Sequence, residues 1–217
     1  MVFRAAAAAA AGLVSGVLLT ALIARVPGLR AGWGRSPRFV VGLSTAAVFV
    51  VMAVRFGPAP ALPAFCYLGA VGVTLAFIDA RHKRLPDALT LPSYPVALLL
   101  LGIAAPAGPG GARHFLGALL GMAIAWGFFL LQAVIYPAGI GWGDVKLSGV
   151  LGLYLGWLGP AALLAGLFLG YLLTAAAGLA LIAAGRATRK SQLPFGPFLL
   201  AGTLAAIAVS GLVGSHS

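Results

Sequence analysis

"VKLSGVLGLYLGW", residues 145–157, decides how this chain is threaded. The stretch is apolar but short, since a membrane helix needs about 20 residues to cross about 30 Å of hydrocarbon. If it crosses, by thinning the bilayer or snorkelling its ends, every later segment changes side. Only "LGP" at 158–160 separates it from the next apolar run. Working outward in both directions, eight apolar segments can be drawn, at 5–24, 39–54, 61–78, 88–105, 115–136, 145–158, 160–184 and 195–213. With all eight crossing, one set of connections holds Arg25, Arg30, Arg35, Arg38, Arg81, Lys83, Arg84, Lys146, Arg186, Arg189 and Lys190. The other set holds Arg4, Arg55 and Arg113. Eleven basic residues against three puts the first set in the cytoplasm by the positive-inside rule, with both termini outside. Were 145–158 not to cross, Arg186, Arg189 and Lys190 would face outward, against that rule.

The composition supports the same class. The chain of 217 residues is 62% hydrophobic and 8% charged, whereas soluble domains carry about 25% charged residues to cover their surface. An all-α, polytopic membrane helix bundle of about eight transmembrane helices is expected, occupying 1–217 as one domain. Within it, 1–60 reads as an N-terminal helical pair and 61–213 as the core that carries chemistry. The opening "MVFRAAAAAAAGLVSGVLLTALIAR" has the order of a signal peptide, but its apolar run is long and lacks a cleavage site, so it reads as the first span. A net charge of +11 does not indicate nucleic acid, because the basic residues lie between spans rather than on a soluble face. They suit topology and contact with anionic membrane lipids. The single cysteine, Cys66, provides neither a disulfide framework nor a cysteine metal cluster.

Three carboxylates remain, all aspartates. Asp79 ends the third segment in "LAFIDARHKRLPDALTLP", and Asp144 begins the sixth in "GIGWGDVKL". The threading brings both to one membrane boundary, where an ionisable group is costly and tends to mark function. Two neighbouring carboxyls share a proton, so one can act as general base toward water while the other polarises a carbonyl as general acid. Each acid also has a structural reading: Asp144 as a helix N-cap, Asp79 as a headgroup-level partner of Arg81 or Arg84, and Asp87, after Pro86, as a cap of the fourth segment. The glycines of "GIGWG" permit backbone geometry closed to other residues and close approach of another chain. They are no phosphate loop, since the Lys-Ser/Thr ending is missing.

On these residues the chain resembles the type IV prepilin peptidases, membrane aspartic proteases of the Gly-x-Gly-Asp class. "IDARHKRLPDALTLP" (78–92) is similar to the family's first aspartate segment, with Asp79 in the catalytic position. "GIGWGDVKLSGVLGLYLGW" (139–157) is similar to the second, with Gly141, Gly143 and catalytic Asp144. "LPFGPFLLAG" (193–202) resembles the family's Pro-Phe-Gly-Pro-Phe motif, in Pro194, Phe195, Gly196 and Pro197. The resemblance implies an endopeptidase that removes the basic leader of type IV prepilins or pseudopilins at the cytoplasmic face of a bacterial inner membrane, without metal or cofactor. The family's larger members carry a cytoplasmic insertion with paired Cys-x-x-Cys motifs after the first span. Here only "RVPGLRAGWGRSPR" (25–38) stands at that point, so peptidase activity without N-methylation is expected.

Around the acids, Lys146 reads as a residue that biases Asp144, binds substrate or snorkels to headgroups. Trp142 and Trp157 read as interface anchors, and His114 and His216 lie on the far side, out of reach of a metal site with the aspartates. Residues 194–197 read either as an unwound strand that pairs with substrate or as a simple helix start. The rival function is a small secondary transporter using the two aspartates as proton or cation sites. Such proteins place acids near the midplane on broken helices and show repeated halves, and neither feature is evident here.

Overall fold

The computed structural model describes residues 2–24, 35–137, 139–186, 188 and 193–213. The expectations for 25–34, for Arg189 and Lys190, and for His216 lie outside the described residues. Among the described residues there are eight α-helices: α1 (Val2–Ile23), α2 (Arg35–Phe56), α3 (Leu62–His82), α4 (Asp87–Ala104), α5 (Gly111–Ile135), α6 (Trp142–Leu158), α7 (Pro160–Ala183) and α8 (Gly196–Val213). No strand occurs among the described residues. Helices α1, α2, α3, α4, α5 and α7 are long and apolar enough to cross a membrane, and α8 is a shorter apolar helix. Large apolar side chains face outward along α5 (Leu116, Leu120, Ile124, Leu131) and α7 (Leu164, Phe168, Leu172). Apolar surface on that scale needs lipid rather than water around it. The protein is an integral membrane helix bundle.

Helix α6, the stretch on which the threading turned, is the core of the bundle. Its 17 residues span about 26 Å at 1.5 Å each, short of the hydrocarbon thickness. Residues from Leu147 to Trp157 are all buried, because α4, α5, α7 and α8 pack around it. The expected thinning or snorkelling is therefore unnecessary: a helix enclosed by protein need not match the bilayer itself. Small residues make the enclosure possible. Gly117 and Gly121 on α5 lie against Gly152 and Gly156 on α6 so closely that a Cβ at Gly121 would come within 2.7 Å of the Gly156 Cα. Hydrocarbon gives helices no solvent-driven reason to associate, so such backbone contact supplies the packing. The break at "LGP" works through Gly159, whose φ of 111° is closed to ordinary side chains, followed by Pro160 at the first position of α7.

Successive helices pack antiparallel, with Gly12 and Gly16 of α1 against Ala46 and Gly42 of α2, and Gly117 and Gly121 of α5 against Gly156 and Gly152 of α6. At one end of the bundle, Arg55 at the end of α2 reaches Ser210 near the end of α8 at 3.5 Å. His114 at the start of α5 bonds the Trp157 carbonyl at the end of α6 at 2.8 Å and stacks on its ring. Trp157 is thus a buried packing residue rather than an interface anchor, while Trp142 is 65% exposed. The opposite end gathers the close of α3 and α5 with the start of α4, α6 and α8. All three aspartates are at that end.

Candidate active site

Asp79 occupies the last turn of α3 and is only 5% exposed. The helix stops because Lys83 adopts a left-handed conformation (φ 50°) and returns its N–H to the Asp79 carbonyl at 2.8 Å. Pro86 then opens α4, leaving Leu85 in the turn between. Asp144 lies in the first turn of α6, three residues after its N-cap, Gly141. It is therefore not the cap. Its carboxylate instead faces back toward the Gly141 backbone N–H, the N3-to-cap half of a capping box. Its Oδ1 is buried and has no hydrogen-bond partner among the described residues. Buried polar atoms are rarely left unpaired, and those that are call for an explanation by strain, water or catalysis.

The three motifs meet here. Gly196, first residue of α8, donates its N–H to Asp79 Oδ2 at 3.1 Å. The Leu85 side chain lies between Gly196 and Gly143, since a Cβ on either glycine would fall 3.5 Å and 2.9 Å from its atoms. Asp79 and Asp144 are near enough to interact electrostatically. So the close of α3, the α3–α4 turn, the first turn of α6 and the first residue of α8 surround one point. A carboxylate pair there can take a proton from water and give one to a carbonyl oxygen.

Gly141 has ordinary extended backbone (φ −74°, ψ 144°), and Gly143 is helical. The glycines before Asp144 therefore give no special dihedral. Their smallness matters instead, Gly143 against Leu85 and Gly141 against Asp144, where a Cβ would lie 3.3 Å from Oδ2. Gly196 is the tightest of these positions, with its missing Cβ 2.8 Å from Asp79 Oδ2. A simple helix start, rather than a free strand, describes 194–197: residues 193–195 are non-helical, and the Phe195 carbonyl accepts the N–H groups of Phe198 and Leu199. Phe195 packs against Phe129 and Tyr171. Pro197 lines a separate cavity of about 330 Å³ with Ala80 and Ala201.

Lys146 and Asp87 differ from expectation together. Asp87 makes no cap hydrogen bond, Pro86 being the N-cap of α4. Its two carboxylate oxygens each receive Lys146 Nζ at 2.8 Å. A cavity of about 430 Å³ opens between α5 and α7, lined by Gln132, Ile135, Ile140, Tyr171, Thr174 and Phe195 among others. Tyr171 donates to Gln132 Oε1 at 2.9 Å and is in electrostatic reach of Asp144. Sequence reasoning did not single out Leu85, Tyr171 or Gln132. The one leucine in the basic turn "RHKRLPD" and the lone Gln in an apolar span were the available signals. No three His, Cys, Asp or Glu side chains come together among the described residues.

Residues 66–179, which include both Asp79 and Asp144, match the type IV leader peptidase family. The chain belongs to that family. Similar proteins within it include the prepilin leader peptidase/N-methyltransferase of Aeromonas salmonicida, 38% identical over 169 residues, which are 76% of this chain and 56% of that protein. The protein of the same description from Burkholderia pseudomallei is 35% identical over 77% of this chain and 53% of its own length. That from Bacillus subtilis is 30% identical over 76% and 62%. The chain thus spans a little over half the length of the relatives it matches. No solved structure matches it.

Proposed function

We propose that this protein is a membrane aspartic endopeptidase that removes the leader of a type IV prepilin or pilin-like protein. Asp79 and Asp144 are its catalytic pair, and Gly141, Gly143, Phe195 and Gly196 shape the site around them. The observation that carries this reading is the Gly196 N–H bond to Asp79 at a point where Asp144 is in electrostatic range, which joins three distant family motifs. One carboxylate removes a proton from water, and the oxygen attacks the scissile carbonyl carbon. The other carboxyl, protonated, gives its proton to the carbonyl oxygen. Collapse of the tetrahedral species with protonation of the amide nitrogen releases a carboxylate and a free amine. The cavity between α5 and α7, whose lining residue Tyr171 is in electrostatic reach of Asp144, offers space for an extended peptide.

The membrane would be a bacterial inner membrane, with the site at its cytoplasmic face. The eleven-to-three distribution of basic residues favours that orientation, and a prepilin still held by its apolar helix would offer its leader junction at this depth. We read 61–213 as the catalytic core and 1–60 as a helical pair attached to it, which fits the close packing of α1 on α2 and a family match that begins at 66. The relatives' description also includes an N-methyltransferase. A chain with one cysteine cannot form paired Cys-x-x-Cys motifs, so we assign peptidase activity alone. Acids at helix ends beside a tight three-motif junction favour hydrolysis over transport.

Co-expression with a prepilin, followed by electrophoresis of the pilin, tests the reading. Leader removal by the unaltered protein, and its loss in Asp79→Asn and in Asp144→Asn at equal membrane abundance, is the expected outcome. Unprocessed prepilin with the unaltered protein, across several prepilins, would contradict it.

A further inference from the structure

The two acid-bearing helices are not held together directly at the site. Helix α3 packs on α1, α2, α4 and α8, and α6 packs on α4, α5, α7 and α8. The two meet each other through side chains such as Phe65 edge-on to Tyr154. Helices α4 and α8 each pack on both, and α4 adds polar side-chain ties to each of them.

Three polar ties run from α4. Ser93 meets the Tyr67 hydroxyl of α3 at 3.2 Å. Asp87 holds Lys146 Nζ of α6 through both oxygens. Tyr94, seven residues on and so on the same face of α4, donates its hydroxyl to the Lys146 backbone carbonyl at 2.6 Å. Two of the three converge on one residue, which stands two positions after Asp144 in the same first turns of α6. At the other end of the brace, Asp87 follows Asp79 by eight residues through the tight turn that carries Leu85. The room for Tyr94 is made by Gly149, because a Cβ there would collide with the Tyr94 hydroxyl.

We infer that Asp87 and Tyr94 are positioning residues, which set the register of Asp144 against Asp79 by gripping Lys146 from side chain and backbone. This rests on the peptidase reading above. Lys146 then acts through Asp87, not on substrate and not on Asp144. An exposed ion pair contributes little to global stability, so the grip is felt in the geometry of the pair more than in folding. Small errors in such geometry cost much in rate.

The experiment is a double-mutant cycle on leader cleavage in membranes, with Asp87→Asn, Lys146→Met and both together, beside Tyr94→Phe and Lys146→Arg. The single changes Asp87→Asn, Lys146→Met and Tyr94→Phe are each expected to lower kcat about tenfold with KM within about twofold. The combined Asp87→Asn and Lys146→Met protein is expected to be no worse than either alone. Lys146→Arg, which can still span both Asp87 oxygens, is expected to keep most activity. A change in the separation of two coupled carboxyls also moves the limbs of the pH–rate profile, which a smaller fraction of folded enzyme would not do. Asp79, Tyr171 and the Gly141 N–H are the groups facing Asp144 in that titration. An unmoved profile in all three single variants overturns the inference, as does kcat at the unaltered level in Asp87→Asn and Tyr94→Phe. Multiplying losses in the combined variant do the same, because Lys146 would then act independently of Asp87. Where Asp87→Asn fails to accumulate, the near-isosteric Tyr94→Phe decides by its kcat and profile. Failure of the peptidase reading looks different: it would appear as cleavage surviving Asp79→Asn or Asp144→Asn, whatever the α4 variants do.

Discussion

Helix α6 meets its neighbours in two ways along its length. In its middle and far part, Gly152 and Gly156 close on Gly121 and Gly117 of α5 until backbone touches backbone. At its start, Gly141 and Gly143 stand against side chains, the Asp144 carboxylate and Leu85. The same residue type seals one region and leaves the other just open enough for two acids. A backbone neighbour cannot yield, whereas a side chain can turn aside. The seam is therefore expected to govern folding, and the site end the rate of the proposed cleavage.

Substitutions that add a Cβ to each region separate these roles. The largest effect belongs to the seam: Gly152→Leu should cost about 3 kcal/mol or more, and thermal unfolding in detergent or membrane abundance should register it. Gly196→Ala comes next, with a methyl driven to 2.8 Å from Asp79 Oδ2. Leader cleavage should fall about a hundredfold while the melting temperature moves little, as expected of a misplaced reacting group. At Gly143→Ala the neighbour is the flexible Leu85 side chain, so a loss of about tenfold or less is expected in the same assay. Trp142→Ala removes a side chain that is 65% exposed, and cleavage should stay within about twofold. Equal effects on folding from Gly152→Leu and Gly196→Ala would erase the distinction between the two regions.

Much of this was legible before any coordinates. Apolar length is a one-dimensional property, so the eight apolar segments could be read directly. Asp79 and Asp144 stood out because the chain has so few acids. What could not be read depends on who packs against whom. Enclosure of α6 by four other helices removed the need to match the bilayer, and no feature of "VKLSGVLGLYLGW" announces its neighbours. Lys146 sits two residues from Asp144 in sequence, but its ammonium lies on Asp87, 59 residues away. Trp157 looked like an interface anchor until His114 covered it. Leu85 gains importance only when Gly143 and Gly196, distant in the chain, come to lie on either side of it.

The central claim is that Asp79 and Asp144 work as one unit, and its most direct test compares leader removal by Asp79→Asn, Asp144→Asn and the doubly substituted protein at matched membrane abundance. Because a pair acting together is lost when either member is lost, all three should fall to the same background. Cleavage that persists in either single variant, or that falls further when the second change is added, would contradict it.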